Sequence, residues 1–89
     1  MAGPGIYEQT IQTIRNMMIV LEDAGATLDD IVKVTIYIIK LKENLAEMNR
    51  AYRELMPAHP FPARACVEVV DMVDEGALVE MEFTVHMKH

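Results

Sequence analysis

Nine consecutive residues, Ile31 to Ile39, limit what this chain can fold into. Every one of them except Lys33 and Tyr37 is β-branched. Such side chains lose rotamer freedom in a helix and pack well on a pleated surface, so the run reads as a strand. With strict alternation, Val32, Val34, Ile36 and Ile38 point one way, and Ile31, Lys33, Thr35, Tyr37 and Ile39 point the other. The first set is wholly apolar and must be covered by another layer of secondary structure. The second set is mixed.

Two segments have the period to supply that layer. Tyr7, Ile11, Ile14, Met18, Leu21 and Gly25 recur at spacings of four and three, the mark of one helical face. Gly25 is placed to end that helix in the left-handed conformation. Glu43 to Met56 reads as a second helix, with Leu41, Leu45, Met48, Tyr52 and Leu55 along its buried stripe and Pro57 and Pro60 to stop it. Two further strands follow. In Arg64 to Val70, Ala65, Val67 and Val69 form the expected apolar face, and Arg64, Cys66 and Glu68 the other. In Leu78 to Lys88, Val79, Met81, Phe83, Val85 and Met87 oppose Glu80, Glu82, Thr84 and His86. The connection Asp71 to Ala77 is short enough to join antiparallel neighbours. The order helix, strand, helix, strand, strand predicts an α+β fold, a two-layer sandwich of two helices on a small mixed or antiparallel sheet. The whole of residues 1–89 reads as one domain, with 1–5 a loose lead-in. The second sheet face mixes charges with Ile31, Tyr37, Ile39 and Cys66, which points to an oligomer interface.

Composition removes several function classes. A formal charge of −6 with no basic stripe argues against a phosphate-backbone binder, so no nucleic-acid partner is expected. No apolar run is long enough to cross a bilayer, and no signal-peptide pattern opens the chain. A single cysteine, Cys66, cannot form an intrachain disulfide and fits a reducing, cytoplasmic compartment. His59, His86 and His89 have no metal-ligand spacing, so neither metal nor organic cofactor is expected.

The residue most open to a chemical reading is Arg64, in Phe61-Pro62-Ala63-Arg64-Ala65-Cys66-Val67-Glu68-Val69. An arginine at a strand entrance is ordinarily a solvated edge charge or one half of a surface ion pair, here with Glu80 across two strands. It can equally grip a planar carboxylate through paired hydrogen bonds, which lysine does less well. Asn49, at the border of the second helix's apolar stripe, is ordinarily a solvated helix residue. Cys66 reads first as a small buried hydrophobe. Glu68 and Glu82 read as solvated or interface acids.

Four pieces in order nevertheless resemble one family. Ile31-Val32-Lys33-Val34-Thr35-Ile36-Tyr37-Ile38, Asn49-Arg50-Ala51-Tyr52, Pro62-Ala63-Arg64-Ala65-Cys66-Val67-Glu68-Val69 and Val79-Glu80-Met81 are similar to the motifs of the RidA/YjgF family, over about Ile6 to His86. The resemblance implies a YjgF-like, chorismate-mutase-like fold and a homotrimer with active sites in clefts between subunits. It implies an enamine/imine deaminase acting on small molecules such as 2-aminoacrylate and releasing 2-oxo acids and ammonia. On that pattern Arg64 holds the substrate carboxylate, Glu80 positions water, Asn49 lies near the cleft, and Cys66 lines it without being the nucleophile. The family's N-terminal β-hairpin, with its aromatic residue and Ser-Gly segment, has no counterpart in this chain. Without that hairpin, the alternative is a non-catalytic member that binds 2-oxo acids or serves a structural or partner-binding role.

Overall fold

The computed structural model describes residues 5–56 and 62–87. Expectations that fall on Pro57, His59, Pro60, Phe61, Lys88, His89 and residues 1–4 lie outside the described residues. Helix α1 spans Ile6–Asp23, strand β1 Ile31–Ile39, helix α2 Leu41–Leu55, β2 Ala63–Val69 and β3 Val79–Val85. A short 3-10 turn, Leu28–Asp30, precedes β1. The two helices pack on each other, with α1 over β3 and α2 over β1, as the two-layer α+β reading requires.

The sheet order is β2-β1-β3, with β2 parallel and β3 antiparallel to β1. A parallel neighbour needs a crossover, and α2 supplies it between β1 and β2. The sheet is therefore mixed. Residues 70–78 do not close a hairpin between adjacent strands, as their shortness led us to expect. They carry the chain across the end of β1 instead.

β1 holds the core. Val34, Ile36 and Ile38 are fully buried, together with Ile14 of α1 and Met48 of α2. At the other end of the strand the expected alternation fails. Ile31 pairs with Val85 and Lys33 with Thr84, leaving Val32 as the extra residue of a bulge. The bulge turns Ile31 inward, 5% exposed, and Val32 outward, 49% exposed. Simple alternation had put them the other way round.

α1 is rotated slightly from its expected stripe. Its buried residues are Ile6, Thr10, Ile14 and Leu21, while Met18 is exposed. Thr10 is tolerated in the core because its hydroxyl donates to the Ile6 carbonyl at 2.7 Å. A polar residue there hid the true stripe from a hydrophobicity pattern. The C-terminus behaves as expected. Gly25 has φ +80°, its N–H donates to Glu22, and the Ala26 N–H reaches back to Leu21. These two bonds with the buried Leu21–Ala26 contact make a Schellman ending.

Side chains tie the layers together. The Gln9 amide donates to the Gly76 carbonyl and accepts from the Leu78 N–H, so α1 grips the start of β3. Arg50 forks onto Glu47 at 2.8 and 2.9 Å and lies 4.0 Å from the centre of the Tyr7 ring. The Tyr7 hydroxyl donates to Glu54. This clasp joins α1 to α2 on the outer surface.

The bulge makes a direct prediction. Ile31→Ala is expected to cost about 2–5 kcal/mol in urea unfolding, as deletion of a buried isoleucine does. Val32→Ala should stay within about 0.5 kcal/mol of the parent. The reverse ranking would show that β1 keeps strict alternation.

Candidate functional site

The register of β2 decides where the candidate residues go. Arg64, Cys66 and Glu68 pair with Val34, Ile36 and Ile38, so they share the helix-facing side of the sheet. Ala65 and Val67 lie opposite, beside Thr35 and Tyr37. This inverts the facing expected for β2. Its alternating pattern was read by hydrophobicity, but β2 is an edge strand whose inner positions run past the rim of the helix layer. A charged residue can sit on the inner face there and still reach water.

At that rim α2 meets β2. The Arg64 Nη1–H donates to Asn49 Oδ1 at 2.7 Å, and the guanidinium carbon lies 5.0 Å from the centre of the Tyr52 ring. Asn49 and Tyr52 reach the same strand because residues three apart share a helix face. Arg50, from the same motif, points away to the clasp with Tyr7. Tyr52, Arg53, Pro62 and Arg64 line an open cleft of about 180 Å³. Among the described residues no acid lines it, and Arg64 has Asn49 as its one hydrogen-bond partner. The described ion pairs all belong to Arg50. In a chain of charge −6, two arginines without a carboxylate make a local positive field suited to a small anion. Tyr52 was read from sequence as core and as the last residue of the Asn49-Arg50-Ala51-Tyr52 motif, with no site role; its closeness to Arg64 follows from the β2 register, which the sequence pattern does not reveal.

Cys66 is half-buried on the same face, packed against the core. Glu68 has a structural task that sequence reading missed. Its carboxylate accepts the Leu41 N–H at 3.0 Å, capping α2 from a neighbouring strand. The cap matters because Lys40, just before the helix, sits in the left-handed region at φ 49° and provides no side-chain cap.

Glu80 is elsewhere. It pairs with Tyr37 on the open sheet face, on the far side of β1 from β2. Tyr37, Val69, Asp71, Met72, Val73, Glu80 and Glu82 line a shallow depression there. Within one chain Arg64 and Glu80 are thus separated by a strand and by the thickness of the sheet. Neither the ion pair between them nor a shared site is formed in one copy. Among the described residues, no cluster of His, Cys, Asp and Glu forms a metal-ligand set. No described helix is long and apolar enough to cross a membrane.

Burial pushes the Tyr52 phenol above its ordinary pKa, opposed by the positive charge of Arg64 and aided by negative charge at Cys66. The folded state therefore favours the protonated phenol. Stability from this source is complete below the unfolded value of about 10 and is lost as pH rises through the folded value. In alkaline spectrophotometric titration, Tyr52→Phe should remove a component that ionises late. The same substitution should flatten the alkaline fall in stability.

Comparison with known proteins agrees with this fold. The family model described as Endoribonuclease L-PSP matches residues 1–87. A RutC family protein of Pyrococcus abyssi is 44% identical over 77 residues, covering 86% of this chain and 58% of that protein. The 2-iminobutanoate/2-iminopropanoate deaminase of Salmonella typhimurium is 38% identical over 66 residues, covering 72% of this chain and 51% of that protein. The chain thus spans between half and three fifths of these two curated relatives. A crystal structure from Mycobacterium tuberculosis, of a member of the YjgF/YER057c/UK114 family, superposes with a TM-score of 0.88. It is 30% identical, and the match covers 96% of this chain and 70% of that one. With the fold, nearly the full length of the chain and sequence identity all in agreement, the chain belongs to the RidA/YjgF family.

Proposed function

We propose that this chain hydrolyses small 2-imino or 2-enamino acids, such as 2-aminoacrylate, to 2-oxo acids and ammonia. The observation that carries this reading is Arg64, hydrogen-bonded to Asn49 and lying over the Tyr52 ring in a cleft with no acid among its described lining residues. A guanidinium there holds the substrate carboxylate and fixes the neighbouring C=N carbon in place. An enamine first gains a proton on carbon and gives one up from nitrogen, becoming the imine. Water then adds to the imine carbon as the nitrogen takes a proton, and the resulting carbinolamine expels ammonia to leave the ketone. Glu80 is the carboxylate proposed to orient that water and accept its proton. Cys66, on the same sheet face and within electrostatic range of Tyr52, is given no covalent work in this reading. The likeness to the Salmonella deaminase supports the substrate class.

Because Glu80 lies on the other sheet face, it serves this cleft only from a second copy. Two features favour such an assembly. The open face carries half-exposed Val32 and Val67 among its polar groups, and the depression at Glu80, Glu82 and Asp71 is acidic where the Arg64 cleft is basic. A homotrimer with clefts between copies is the form this reading takes. A cytoplasmic setting goes with it, supported by the single unpaired Cys66.

A second reading is a carboxylate-binding member without turnover. It is favoured by the separation of Glu80 from Arg64 in one chain. Freshly generated 2-aminoacrylate, followed as pyruvate release, decides between them. The deaminase reading expects measurable turnover, reduced roughly 10²–10⁴-fold in Glu80→Gln, the scale of general acid–base catalysis, and abolished in Arg64→Ala. Melting-temperature shifts with pyruvate but no turnover would favour the binding reading. Neither turnover nor a shift would remove both.

A further inference from the structure

We infer that Tyr52 is a second hydrogen-bond donor of the Arg64 cleft, its buried hydroxyl completing the hold on a small carboxylate. The inference rests on the reading of Arg64 as an anion anchor and adds a residue to that site.

Tyr52 is 4% exposed, and among the described residues its hydroxyl is the buried side-chain polar atom left without a hydrogen-bond partner. Native structures pair nearly all such groups, so an orphan points to a partner that arrives later. The contrast with Thr10 is instructive. That hydroxyl is equally buried, and the fold satisfies it within its own helix. Nothing in the packing asks for a hydroxyl on residue 52, since phenylalanine would fill the ring's place and leave no donor stranded.

The position of the orphan names the partner. The Tyr52 ring lies beneath the Arg64 guanidinium and lines the cleft with Arg53 and Pro62. Its hydroxyl is within electrostatic range of Arg64 and Cys66, and it stays protonated. A protonated phenol donates, so the missing group is an acceptor. Arg64 is exposed and tethered by a single hydrogen bond, so its side chain can move aside to open the way to the ring's edge. A carboxylate then offers one oxygen to the guanidinium and the other to the phenol. The cleft, of about 180 Å³, has room for a small acid.

The test is pyruvate binding by isothermal titration, with unliganded melting temperatures, for the parent, Tyr52→Phe and Arg64→Ala. We expect Tyr52→Phe to melt at or above the parent and to bind pyruvate about tenfold more weakly, the loss of roughly one hydrogen bond. Stability and affinity moving in opposite directions is a result that a purely structural tyrosine does not give. Unchanged affinity in Tyr52→Phe, with binding lost in Arg64→Ala, would overturn the role of Tyr52 and leave the anion anchor standing. A melting temperature well below the parent's in Tyr52→Phe would show a structural partner for the hydroxyl and also overturn it. Absence of pyruvate binding by the parent, or full binding by Arg64→Ala, would remove the anchor itself and this inference with it.

Discussion

The burial of Val34, Ile36 and Ile38 against Ile14 and Met48 is the contact on which the rest of this domain depends. It fixes β1 as the central strand, and the pairing partners of β1 then fix which side every residue of β2 and β3 faces. Slipping β2 by one residue would carry Arg64 to the open face and strand it away from Asn49 and Tyr52. Two tertiary contacts help hold that register. Glu68 anchors β2 to the first turn of α2, and Asn49 holds Arg64 from the third turn. The cleft is thus a product of strand pairing as much as of its own residues.

The chemistry of the cleft follows from what is missing there. An arginine on a strand edge normally finds a carboxylate, and the resulting pair is worth little. Here the described ion pairs are made by Arg50, on the outer face of the helices. Arg64 keeps a neutral amide and an aromatic ring as its neighbours, which orient the guanidinium and leave its charge uncompensated. A protein that is acidic as a whole is positive at this point. A small carboxylate meets both charge and geometry.

Much of this was legible in the residues, and the failures have physical causes. The β-branched run located β1, helical spacing located α1 and α2, and Gly25 located the end of α1. The facing of β1 failed only at Ile31 and Val32, where a bulge adds a residue and breaks the period of two. The facing of β2 failed throughout, because an edge strand at the rim of the helix layer places charged residues on its inner face and apolar ones on a side that hydrophobicity alone would call buried. Arg64 and Asn49 could be singled out by motif, but their hydrogen bond depends on the β2 register. Glu68 as a cap and Tyr52 as part of the cleft are tertiary facts, made by contacts distant in sequence. Glu80 was expected on the face where it is found; its separation from Arg64 came from the inversion of β2.

That separation is also the sharpest constraint on mechanism. If Arg64 and Glu80 act on one substrate, they come from different copies of the chain. Mixing the two impaired variants, Arg64→Ala and Glu80→Gln, and letting their subunits exchange tests this directly, with mixed oligomers verified by native mass spectrometry. The account expects deamination to return in the mixture, since some clefts then combine an intact Arg64 with an intact Glu80 from a neighbour. Mixed oligomers that form but remain as impaired as either variant alone would contradict a shared site between copies.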